Sequence, residues 1–413
     1  MFPIIEKRIE EFEKMGYGMF IHYGIHSLLG RCVWAKKLGY TSDENYNNLS
    51  KEFTAKEFDG NRIGLIAKQA GMKYACLTTR HHDGYSLYDT KGLCEFDAVH
   101  TAPGRDLVAD FVQGCRNNDI IPFFYHTTLD WYQESFEKDF DTYLEYLRAS
   151  IELLCTNYGK IGGFWFDGNW SKPDADWKLD SLYSTIRKYQ PDTMIINNTG
   201  LSAQGEIGHP EIDSVTFEKG TPFKVNKEGM SKYLGSEMCA TFNSHWGYSD
   251  LDFNYTSTAT IIKNLCACRK VGANYLLNVG PEPSGKIGDY EVAALNKVAK
   301  WIRLFGFSLY DGKSICSQSN RGDLAIEYGN KIYLFIHDLP IMGDVNVVAE
   351  SGGDNLRSFS GIKKTVSSVK WLDNDQNLKF IQDVDLGFFT LDATPPVYGV
   401  DLVVRVAELT CDL

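Results

Sequence analysis

Positive charge is in short supply in this sequence: 42 Lys and Arg stand against 54 Asp and Glu, a net charge of −12. Such a surface repels phosphate backbones and anionic headgroups, which argues against nucleic acid and membrane as partners and for a neutral or polar small molecule. No segment reaches the ~18 consecutive apolar residues of a membrane span. Met1–Met15 is rich in Glu and Lys and has no apolar leader core, so a cytoplasmic location is expected. None of the ten cysteines forms a Cys-x-x-Cys pair, and several sit in apolar runs such as Tyr74-Ala75-Cys76-Leu77; they read as reduced core residues. There is no repeat and no low-complexity tract, no motif asks for a cofactor, and nothing in the chain speaks to oligomeric state.

What is present is core-forming material. The 413 residues are 43% hydrophobic and 13% aromatic, enough for a barrel plus a smaller domain. Eight short runs, apolar on both faces as buried parallel strands are, recur along the first three quarters: Gly18–Tyr23, Tyr74–Thr79, Ile120–His126, Gly162–Asp167, Thr193–Asn198, Ser214–Glu218, Cys239–Asn243 and Asn274–Val279. Amphipathic stretches separate most of them. Ile63, Ile66, Ala67 and Ala70 share a helical face, with Thr54 and Glu57 as a capping box before it and Gly71 after it. This alternation predicts an α/β fold, a closed (β/α)₈ TIM-like barrel over residues 1–310, although the links after strands five and six look irregular. Residues 311–413 lose helical periodicity. Strand-like runs at Asp323–Tyr328, Lys331–Ile336, Val345–Ala349, Val366–Leu372, Leu378–Val384, Phe388–Leu391 and Leu402–Val406 predict a C-terminal antiparallel β-sandwich.

Catalytic groups of such barrels lie where strands end. The strand ends here offer His22, the pair His81-His82, Tyr125, Trp165 with Asp167, Asn197-Asn198 and Glu218, and strand seven leads into Trp246. Aromatic faces stack on the C–H side of a pyranose, while His, Asn and carboxylates bond its hydroxyls. Two carboxylates, Asp167 and Glu218, supply the pair that glycoside hydrolysis needs. Taken singly, each feature has a plainer meaning. An Asp after a strand is as often a helix N-cap, a Glu at a strand end is commonly a solvated charge, and Trp34, Trp131 and Trp246 can all be core aromatics. A zinc site is the less favoured reading, because strand one offers His22 alone and adjacent histidines on a strand point opposite ways.

The ordered motifs Gly18-Met19-Phe20-Ile21-His22-Tyr23-Gly24, Arg80-His81-His82-Asp83-Gly84, Leu129-Asp130-Trp131, Trp165-Phe166-Asp167-Gly168, Trp246-Gly247-Tyr248 and Asn274-Tyr275-Leu276-Leu277-Asn278-Val279-Gly280-Pro281 resemble glycoside hydrolase family 29, the α-L-fucosidases. The resemblance covers Gly16 to Tyr310. It implies a retaining mechanism without metal or cofactor, with Asp167 as nucleophile. It also implies contacts to fucose from His22, Trp34, His81, His82, Tyr125, Trp165 and Trp246, and a fucosylated oligosaccharide or glycoconjugate as substrate. Val33 and Thr199 depart from the family pattern, which has Glu and Arg in many members. Four glutamates are candidates for the acid/base. Glu211 and Glu237 read as preceding their strands, on the wrong rim. Glu218 is the choice, and Glu206, on the loop from strand five, stands second. Rival readings are a fucosyl-transferring or glycan-binding relative, and a metal-dependent hydrolase using His22, His81 and Asp83.

Overall fold

The computed structural model describes residues 3–315, 318–319, 322–343, 346 and 355–412. Eight parallel strands close into a barrel in chain order: β1 (Tyr17–Ile21), β2 (Tyr74–Arg80), β3 (Ile121–Thr127), β4 (Gly163–Asp167), β5 (Met194–Asn197), β6 (Ser214–Glu218), β7 (Gly235–Thr241) and β8 (Asn274–Val279), with β8 pairing back onto β1. The side-chain period of two sends Phe20, Tyr74, Cys76, Phe123, Tyr125, Trp165, Met194, Ile196, Cys239 and Leu276 into one cluster. Ile9 and Phe12 of the helix Lys7–Met15 join it.

Two of three details correct the sequence reading, and the other bears out the irregular links expected after strands five and six. The helix Gly60–Gln69 is capped by Asp59, which accepts from Asn61 N at 2.8 Å and Arg62 N at 3.1 Å, and Thr54 takes no part. No helix follows β5 or β6; long loops, 198–213 and 219–234, run there instead. Strand seven begins at Gly235, four residues earlier than expected, so Glu237 lies inside β7 rather than before it. A carboxylate in the middle of a buried strand defeats a reading based on apolar runs.

The β5–β6 seam is thin, with a single register pair, Ile196 to Ser214. Asp213, its side chain fully buried, reinforces it. One oxygen accepts Ile195 N at 2.8 Å, and Arg8, Arg187 and Lys232 all reach the carboxylate within 2.9 Å.

The chain divides into two compact units: residues up to 256 with 274–294, and 257–273 with 295–413. The second contains two antiparallel sheets. One runs Val366–Trp371, Val404–Cys411, Lys331–His337, Leu324–Tyr328, Lys313–Ser314; the other runs Gln318–Ser319, Leu356–Ser360, Phe388–Asp392, Phe380–Asp383. Trp371, Phe359, Phe389 and Leu391 lie in their shared core. The expected run Val345–Ala349 lies outside the described residues, apart from Asn346. Leu356–Ser360 escaped notice because a buried Arg357 breaks its apolar alternation.

Candidate active site

Side chains after the barrel strands converge on a cavity of about 580 Å³. All nine residues singled out above line it: His22, Trp34, His81, His82, Tyr125, Trp165, Asp167, Glu218 and Trp246.

Asp167 is the last residue of β4, and its backbone is held by Thr128 N at 2.7 Å. Gly168 follows with φ 122°, and a Cβ there would lie 2.6 Å from Leu129 N, so only glycine makes this turn. The Asp167 carboxylate is ringed by donors. Trp170 Nε1 reaches Oδ1 at 2.8 Å and Asn198 Nδ2 reaches it at 3.2 Å. Tyr125 OH donates to Oδ2 at 3.1 Å, and His82 Nε2 lies 3.4 Å from the same oxygen. Burial opposes the charge, yet the bonds from His82, Trp170 and Tyr125 outweigh it and hold the carboxyl below its ordinary pKa.

Glu218 ends β6 and shifts the other way. Burial raises its pKa, the neighbouring Asp167 charge raises it further, and bonds from Asn198 and Trp246 only partly offset them. Asn198 Nδ2 bridges both carboxylates, since it also donates to Glu218 Oε2 at 2.7 Å. Its own Oδ1 accepts from Thr216 Oγ1 at 3.1 Å and Gly200 N at 3.3 Å, which sets the direction of the amide. The two legs of the bridge, 3.2 and 2.7 Å, cap the separation of the bridged oxygens at their sum.

Burial keeps two of the histidines, His22 and His81, as neutral rings. His22 Nδ1 pairs with Asn278 Oδ1 at 2.6 Å, and burial pushes its pKa down to about 3. His81 lies parallel to Tyr125, with ring centres 5.4 Å apart; burial, then the adjacent His82 and His22, lower its pKa. His82 Nδ1 meets Thr127 Oγ1 at 2.7 Å, which orients the opposite nitrogen toward Asp167. Trp165 and Phe20 pack 5.0 Å apart, and Trp246 lies 4.9 Å from His22 and donates to Glu218 Oε1 at 3.1 Å. Half-buried Trp34 stacks toward Trp170 at 6.1 Å and meets Trp131 at 5.2 Å.

Two carboxylates with opposed pKa shifts, set among histidines and aromatic walls, suit acid/base work on a sugar. The comparison with known proteins agrees: residues 5–307 match the family model for α-L-fucosidase. The chain belongs to the α-L-fucosidases, glycoside hydrolase family 29. It is similar to the tissue α-L-fucosidase of Homo sapiens, at 26% identity over 418 residues, covering 93% of this chain and 85% of that one. Among solved structures it resembles α-L-fucosidase isoenzyme 1 from Paenibacillus thiaminolyticus, with TM-score 0.82, 27% identity and 98% and 99% of the two chains covered. Its fold also matches a Bacteroides thetaiotaomicron family 29 α-L-fucosidase captured as a covalent intermediate with 2-fluoro-fucosyl fluoride, with TM-score 0.81, 18% identity and coverage of 100% and 98%.

In this glycoside hydrolase the other glutamates stand elsewhere. Glu206 is exposed on the loop after β5, and Glu211 is exposed and paired with Arg187 at 3.3 Å. Glu237 lies among the buried barrel side chains, where it accepts Trp165 Nε1 at 2.8 Å and the Tyr74 hydroxyl; burial pushes its pKa up to about 7. At the two departures from the family pattern, Val33 is buried and Thr199 donates its hydroxyl to Ala203 O at 2.6 Å. Asp83, proposed with His22 and His81 for a metal, instead accepts Tyr46 OH at 2.7 Å and Tyr85 N at 3.1 Å. The one three-donor group compact enough for a metal among the described residues is Asp89, Asp97 and His100, and none of these lines the cavity.

Sequence reasoning placed Asn198 on the rim without a role and passed over Trp170 as a site residue. Both were visible, one as a tryptophan three residues past Asp167 and the other as the end of a strand. Their contacts with Asp167 were not, because they depend on how the loops after β4 and β5 fold back.

Proposed function

We propose that this protein is a retaining exo-α-L-fucosidase that removes terminal α-L-fucosyl residues from oligosaccharides or glycoconjugates. The single observation that carries the reading is the pair Asp167 and Glu218, spanned by one amide and pushed to opposite protonation states. Asp167, ionised, attacks the anomeric carbon, while Glu218, protonated, donates to the departing glycosidic oxygen. A covalent β-fucosyl-enzyme forms. Ionised Glu218 then takes a proton from water, which attacks the same carbon and releases fucose with its configuration retained.

In this reading His22, His81 and His82 bond the sugar's hydroxyls, and Trp34, Trp165 and Trp246 give its apolar edge, including the 6-methyl group, a wall to pack on. Tyr125 and His82 hold the Asp167 oxygen that is to attack. A cavity closed below by Phe20 and Trp165 favours a chain end over an internal sugar.

Asp167→Ala is expected to lower turnover of 4-nitrophenyl α-L-fucoside by at least ~10³-fold. Incubation of the wild type with 2-fluoro-fucosyl fluoride, followed by peptide mass spectrometry, is expected to place the label on Asp167. A label on another residue, or near-normal turnover by the Ala variant, sinks the assignment.

A further inference from the structure

Lys219 follows Glu218 directly and is the one lysine or arginine among the cavity's lining residues. Its φ of 51° lies in the left-handed region that a lysine seldom adopts. Its N–H donates to Cys239 O at 2.8 Å, so β7 holds the turn in that conformation. Strained backbone that its surroundings over-determine is concentrated at working sites. Here the strain accompanies a defined place for the side chain. Nζ lies 5.4 Å from the ring centre of Trp246 and donates to Ser244 O at 2.9 Å, while the residue as a whole stays exposed. An ammonium has three protons, so capacity remains toward the opening.

The same opening presents two large apolar side chains to solvent, Leu201 at 67% exposure and Trp170 at 38%. Trp170 holds Asp167 through its indole N–H and stacks toward Trp34, and the part of its ring still exposed is available to a sugar ring. The wider field is hostile to an anion, because the protein carries a net charge of −12 and the cavity holds two carboxyl groups. A local cation beside a stacking surface reverses that bias at one point.

We propose that Lys219, with Leu201 and Trp170, forms the subsite for the group to which fucose is attached, and that it selects an anionic one: a sugar bearing a carboxylate or sulfate close to the glycosidic bond. The proposal rests on the fucosidase reading above. Long-range attraction speeds capture, and the contact at Nζ adds to binding as the glycosidic oxygen reaches Glu218.

The test compares kcat/KM for 4-nitrophenyl α-L-fucoside with that for its 3-carboxy-4-nitrophenyl counterpart, in wild type, Lys219→Met and Lys219→Arg. Taking the ratio within each protein cancels differences in leaving-group chemistry, in Glu218 acidity and in the fraction folded. The charged-to-neutral ratio is expected to be about fivefold higher in wild type than in Lys219→Met at low ionic strength. The excess is expected to persist in Lys219→Arg and to shrink in about 0.5 M salt. A third fucoside with sulfate in place of the carboxylate separates the two anions: equal preference marks a charge-reading site, and preference for one names the group. Ratios that agree within about twofold between wild type and Lys219→Met overturn the subsite while leaving the fucosidase reading intact. Absence of turnover of any of these fucosides by wild type overturns both.

Discussion

Asn198 is one amide on two carboxylates, which makes it the residue where the proposed pair is most open to perturbation. Its bond to Glu218 favours the ionised form and so works against burial and the Asp167 charge, which raise that pKa. In the proposed mechanism Asp167 must be ionised, so the acid limb of the pH profile is expected where this depressed carboxyl takes up its proton. The same mechanism requires Glu218 protonated, so the alkaline limb is expected where this raised carboxyl loses its proton. Removing the amide lifts the Glu218 pKa further. Asn198→Ala is therefore expected to move the alkaline limb of kcat/KM upward by up to about one pH unit. It is also expected to lower kcat by roughly 10–100-fold, because the pair loses its common tether. A profile with the alkaline limb unmoved shows that Asn198 does not bear on the acid.

At the scale of elements, the seam between β5 and β6 is where this barrel departs most from regular β/α alternation. One register pair and no intervening helix leave the strands to be joined by Asp213 and its three cations. Burial alone raises the Asp213 pKa, but Arg8, Arg187 and Lys232 more than reverse this, so the net shift is downward. A folded pKa below the unfolded value contributes stability above the unfolded pKa, and that stability is lost as pH falls through the folded one. Asp213→Asn is expected to cost roughly 3–5 kcal/mol in urea unfolding near neutral pH, since it leaves cations gathered without their counter-charge. That difference is expected to begin to narrow as pH falls below about 4, the unfolded value, and to close only once the depressed carboxyl of the folded wild type is protonated too. A loss under about 1 kcal/mol shows that the strands hold without the cluster. This cluster was hidden in the sequence because its members lie far apart along the chain; Arg8 and Asp213 are 205 residues apart. The alternation of apolar runs and amphipathic stretches was readable because it repeats within a single element. Strand limits failed where a polar residue is buried, as at Glu237 in β7 and Arg357 in the strand Leu356–Ser360.

For the molecule as a whole, the proposed chemistry runs on carboxylates, so a chelator is expected to leave turnover of an aryl α-L-fucoside unchanged. A loss on dialysis against EDTA that added zinc restores would return the metal-dependent reading to contention. The order of the strand ends followed from the sequence alone and brought eight of the nine cavity side chains with it; Trp34 came from the family resemblance. In a closed parallel barrel every strand must finish on the same rim, so a residue just past an apolar run is bound for the catalytic face. Local pattern together with that topological rule therefore determined which strand-end residues share a rim. Only the tertiary structure decided how they meet. Trp170 turns back onto Asp167, Asn198 spans two carboxylates, Lys219 takes a left-handed turn over Trp246, and Glu237 is closed inside the barrel beside Trp165. These contacts join segments whose separation is set by barrel closure and by loops with no period of their own, and a one-dimensional pattern carries no information about either.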